Sequence, residues 1–66
     1  MDIILNGETR EIPERTSAAM LLDSLGLAQR RLALEINREI VPRSRFDRHM
    51  IRPGDRVEIV HAIGGG

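Results

Sequence analysis

Cysteine is absent from the sequence, which removes disulfides, thiolate metal sites and thiol nucleophiles together. Histidine is scarce. His49 and His61 stand alone, without ligand-like spacing or a cysteine companion, and are read as surface or edge residues with no metal between them. Aromatic residues are limited to Phe46, which is expected to plug the core. No apolar run approaches the length of a membrane span and no signal peptide is visible, so a cytoplasmic protein without membrane contact is expected. The formal net charge is zero, which argues against nucleic acid as a partner. The chain is also short. A domain of this size buries only about 60 % of the surface its unfolded form exposes, which leaves no room for a deep cleft of convergent catalytic groups. No nucleophile–base pair stands out, and the chain is not expected to be an enzyme.

What the sequence does hold is concentrated at its end. The stretch His61-Ala62-Ile63-Gly64-Gly65-Gly66 follows a segment, Arg56 to His61, that alternates like a half-buried strand. Glycine has no Cβ, so Gly64, Gly65 and Gly66 can lie in a slot too narrow for any side chain. The reading is a handle with a thin arm: a single domain over residues 1–66 with a flexible tail over 62–66, and the carboxylate of Gly66 as the working end. Ile63 would anchor the base of the arm. Lysine is missing, so all ten basic residues are arginine. An activated carboxylate would meet no neutral amine on its own domain, because arginine stays protonated with a pKa above about 12. The charge is uneven: residues 1–42 carry five arginines against seven acidic residues, and residues 43–66 carry five against three. A mild basic bias near the tail is read as partner steering or a solvated face.

The rest of the chain supplies the handle. Asp2 to Asn6 is apolar and β-branched, Asn6-Gly7 is a hairpin signal, and Thr9 to Ile12 returns as a second strand stopped by Pro13. Thr16 and Ser17 offer N-caps for a helix over about 17–25, with Ala18, Leu21, Leu22 and Leu25 on one face and Gly26 at its end. Asp23-Ser24-Leu25 resembles the modified serine of acyl carrier proteins. That triplet opens a helix there and closes one here, so Ser24 is read as an ordinary late-helix residue. Arg31 to Asn37 alternates, with Leu32, Leu34 and Ile36 inward; Ile40-Val41 begins a short strand ended by Pro42. Residues 43–50 are polar and irregular, with room for a helical turn, and Arg52 to Asp55 is a turn before the last strand. Two strands, a helix and three strands give an α+β fold, a mixed sheet of about five strands with one helix on one face. This order points to the β-grasp, or ubiquitin-like, arrangement, with the first and last strands parallel at the centre.

Three stretches resemble the ThiS family, the sulfur carriers of thiamine biosynthesis: Ile3-Ile4-Leu5-Asn6-Gly7-Glu8, Leu34 to Ser44, and Gly54 to Gly65. The likeness covers essentially the whole chain, with Arg38 standing where glycine is common in the turn. The resemblance implies that an E1-like adenylyltransferase, using ATP and Mg, adenylates the C-terminal carboxylate on Gly66, with no cofactor bound by the carrier itself. A cysteine desulfurase or other sulfur donor then displaces AMP to leave a thiocarboxylate, and thiazole synthase accepts the sulfur. Two readings stay beside it: a carrier for molybdopterin or another pathway, and a ubiquitin-like protein modifier. Strand alternation predicts a docking face for the partner on the outer side of the sheet, formed by Ile4, Ala33, Val60 and Ala62 and flanked by Arg43 and Arg56.

Overall fold

The computed structural model describes residues 1–61. Strands β1 (Asp2–Leu5) and β2 (Glu8–Glu11) form an antiparallel hairpin closed by Asn6-Gly7. Both turn residues have positive φ, 49° and 84°, the conformation that a two-residue hairpin turn needs and that Asn and Gly tolerate best. Helix α1 (Ala18–Ser24) follows. Ser17 is its N-cap, and the Ser17 hydroxyl accepts a hydrogen bond from the Met20 amide at 3.1 Å. Gly26, at φ 75°, ends it in the left-handed conformation. Strands β3 (Leu32–Ile36), β4 (Glu39–Val41) and β5 (Arg56–His61) complete the sheet, with a 3-10 turn over Arg43–Arg45 between β4 and β5.

The sheet order is β2-β1-β5-β3-β4. Strand β5 lies parallel to β1 and antiparallel to β3, at the centre, as the sequence order predicts for a β-grasp fold. Helix α1 covers one face. Ala18, Leu21 and Leu22 pack there against Ile3, Leu34, Ile36, Val57 and Ile59, all buried. Leu32 is half-buried at the rim of this core, and Leu25 closes it from the helix end.

The irregular stretch after β4 has a structural task that its sequence does not advertise. The first amides of a helix have no partner within the helix. Here Ala18 donates to the His49 carbonyl and Ala19 to the Phe46 carbonyl, both at 2.9 Å. Ile51 donates in turn to the Thr16 carbonyl at 2.9 Å. Segment 43–51 is therefore stitched to the start of α1, and this fixes Phe46 in the core as expected. His49 is half-buried in this seam and His61 is exposed on β5. No helix among the described residues is long and apolar enough to cross a membrane.

Candidate functional site

Strand β5 leads toward the glycine tail, so the site is built from what holds β5. Each hairpin turn contributes an asparagine to it. Asn6, beyond the end of β1, accepts through its side-chain oxygen from the Ile59 amide at 2.8 Å, and its own amide donates to the Val57 carbonyl at 2.8 Å. Asn37, at the β3–β4 turn with φ 53°, accepts through its side-chain oxygen from the Arg56 amide at 3.0 Å. Its amide donates to the Arg56 carbonyl at 2.8 Å, and its side-chain NH2 donates to Asp55 Oδ1 at 3.0 Å. The two asparagines thus extend the ladders on both sides of β5 with side-chain atoms. The strand is held on both edges where the neighbouring strands have already ended.

Asn6→Ala is expected to destabilise the fold by about 1–3 kcal/mol, because the Ile59 amide loses its acceptor and alanine tolerates positive φ poorly. Asn6→Asp, which keeps the acceptor, should retain most of that stability. Urea denaturation of both variants distinguishes them: equal midpoints would show that the side-chain bond contributes nothing.

The sheet face away from α1 carries Ile4, Ala33, Val60 and Arg56, four of the residues that the sequence assigns to docking. Ala33 and Val60 are directly paired across β3 and β5, and Val60 is 55 % exposed. They sit with Arg31, Leu32, Arg43 and His61 around a shallow cleft of about 420 Å³ at the end of β5 from which the tail leaves. Arg43 is not a free charge. Its guanidinium donates to the Arg30 carbonyl at 2.7 Å and lies 5.8 Å from the centre of the Phe46 ring. Ile4 and Arg56 are paired at the other end of β5, in a second cleft of about 320 Å³ shared with Asn6, Gly7 and Glu58. Glu58, which lines the second cleft, stands directly opposite Glu35 of β3, two positions along the ladder from Ala33 and Val60. Like charges so placed repel across the strands. The outer face therefore carries an apolar cleft at the Ala33–Val60 end and a largely polar one, with Ile4 as its apolar residue, at the Arg56 end, with Ile40, 71 % exposed, on the β4 edge beside Glu35.

Sequence reasoning missed the acidic pair and Arg31. The alternation that sends Ala33 and Val60 outward also sends Glu35 and Glu58 outward, but their opposition depends on register. Ala62, Ile63, Gly64, Gly65 and Gly66 lie outside the described residues. Among the described residues, no group of three or more His, Asp or Glu side chains is placed to hold a metal ion.

Comparison with known proteins gives these features a context. The chain is 41% identical over 66 residues to a thiazole synthase of Paramagnetospirillum magneticum, of which it spans only 20%. It is 32% identical to the sulfur carrier protein ThiS of Escherichia coli, with both chains covered completely. The crystal structure of thiamine biosynthesis protein ThiS from Geobacter metallireducens superposes with a TM-score of 0.87 at 32% identity, again over the whole of both chains. The sequence model of the ThiS family matches residues 3–66, from the first core residue of β1 through all three tail glycines, and the chain belongs to that family.

Proposed function

We propose that this chain is a sulfur carrier for the thiazole of thiamine, with Gly66 as the group that is activated and loaded. The observation that carries the reading is the end-to-end match to a protein named as a sulfur carrier, together with a central last strand held on both sides, at Arg56 and at Ile59. A carboxylate resists nucleophiles because its charge is shared by two oxygens. An activating enzyme with ATP and Mg would join the Gly66 carboxylate oxygen to the α-phosphate and expel pyrophosphate. A persulfide sulfur from a cysteine desulfurase or another donor then attacks the acyl carbon and AMP leaves. A thiol cleaves the remaining S–S bond, and the thiocarboxylate stays on Gly66. The sulfur then passes to thiazole synthase. The alignment with part of a thiazole synthase chain supports that pairing. In this scheme the carrier contributes presentation and no catalytic group, and it works in the cytoplasm beside its enzymes.

The cleft around Ala33 and Val60 is the proposed hold for the activating enzyme, with Ile4 and Arg56 as a second point of contact. In this proposal Ala62 would add to the hold, Ile63 would anchor the base of the arm, and Gly64 and Gly65 would let it reach the ATP site. Val60→Glu tests this. The side chain is exposed, so folding should be spared, while a third carboxylate beside Glu58 spoils the apolar contact. The KM for the carrier in chain-dependent ATP–pyrophosphate exchange should rise roughly tenfold, equivalent to about 1.4 kcal/mol of lost binding. Unchanged exchange kinetics in a folded variant would place the docking surface elsewhere. Absence of any exchange stimulated by the parent chain would overturn the carrier reading itself.

A further inference from the structure

The cleft that the proposed function leaves unused lies on the opposite edge of the sheet from β2. It has a volume of about 590 Å³ and runs between strand β4 and the segment that follows it. One wall is the β4 backbone. The Asn37-Arg38 turn has two residues, both at positive φ, and closes on the pair Ile36–Glu39. Such a turn closes on a hydrogen-bonded pair, and pairs then alternate along an antiparallel ladder. Ile36–Glu39 and Leu34–Val41 therefore bond across the hairpin, and the intervening Ile40 turns its N–H and C=O away from β3. Neither group finds a partner among the turn, loop and side-chain hydrogen bonds of the described residues.

The facing wall is basic. Arg45, Arg48 and Arg52 line it with their side chains exposed, and none forms an ion pair among the described residues. The acids in the cleft are Glu39 and Asp55. Asp55 is already engaged through both oxygens, by Asn37 at 3.0 Å and by the Arg52 amide at 2.8 Å. Met50, 46 % exposed, supplies an apolar surface between the walls. An open strand edge recruits extended chain. A second copy of this protein would bring its own arginine wall against the first, so like charge opposes self-pairing.

We propose that β4 and the arginine wall beside it bind an extended acidic segment of a partner protein as an added strand. The partner's backbone exchanges two hydrogen bonds with Ile40. Its alternate side chains point one way, about 6.6 Å apart along the strand, so that carboxylates meet Arg45, Arg48 and Arg52. The edge is separated from the Ala33–Val60 pair by β3, so a carrier held there would keep that pair free.

The test uses the full chain, labelled with nitrogen-15, and a synthetic peptide alternating Asp or Glu with Val, capped at both ends. The expected result is saturable binding with the Ile40 amide moving downfield, as a new hydrogen bond requires, and with shifts at the Arg48 and Arg52 amides. The double variant Arg45→Ala/Arg48→Ala should fold as the parent does and bind at least tenfold more weakly. A peptide of the same sequence N-methylated at alternate residues keeps its charge and loses the strand contacts, and it should not bind. Equal binding of the methylated peptide, or of one with Lys replacing every acid, would overturn the proposal. Shifts confined to Ile4, Ala33 and Val60 would overturn it as well. Concentration-dependent Ile40 shifts without peptide would replace it with self-pairing.

Discussion

Gly65→Val is expected to reduce sulfur loading by roughly a hundredfold or more, the scale seen when a reacting group is displaced by about an ångström. The melting temperature should stay unchanged. Valine adds a branched Cβ and narrows the backbone wells open to glycine, so the proposed presentation of Gly66 in a narrow slot would be blocked. Among the described residues the core is held by Ile3, Leu34, Val57 and their neighbours, which the substitution leaves in place, so no change in stability is expected. Scanning calorimetry and single-turnover loading with the activating enzyme check the two halves separately. Residues appended after Gly66 should have the same effect by a different route, because the carboxylate is then an internal amide. A large fall in melting temperature for Gly65→Val would show that the glycine is packed against the domain.

The second large effect is on stability. Leu34 is 1 % exposed, sits on β3 between its partners Val41 and Ile59, and belongs to the cluster covered by α1. Leu34→Ala should cost about 2–5 kcal/mol, the transfer term plus a cavity that two flanking strands cannot close. Small domains have only about 5–15 kcal/mol in total, so the variant should be partly unfolded at physiological temperature. Urea denaturation followed by circular dichroism measures this. A cost below about 1 kcal/mol would mean that the site collapses around the missing methyls.

Leu34 also shows why so much of the fold was legible. Its neighbours two positions away, Leu32 and Ile36, are large and apolar, while the residues between are the small Ala33 and the charged Glu35, so the phase of β3 was set before its partners were known. The turns were legible for a similar reason: Asn6-Gly7 tolerates positive φ at both positions, Gly26 stops the helix before it, and Gly54 turns the chain into β5. What Asn6 and Asn37 do with their side chains was not legible. Their bonds to Ile59 and Arg56 span 53 and 19 residues, and a turn signal carries no information about a distant strand. The same limit hid the role of residues 43–51, whose carbonyls complete the start of α1 with no periodic pattern to mark them. At the candidate site, alternation placed Ile4, Ala33 and Val60 on one face. It did not reveal that Glu35 opposes Glu58 between them, because that depends on the register of β3 against β5.

The central claim is that Gly66 carries sulfur, and the most direct measurement is the intact mass of the chain after incubation with activating enzyme, ATP, Mg and a persulfide donor. The account predicts a gain equal to one sulfur minus one oxygen, dependent on ATP, located by fragmentation at Gly66 and lost on transfer to thiazole synthase. An unchanged mass under conditions where the enzyme loads another carrier, or a gain equal to an entire second protein, would contradict it.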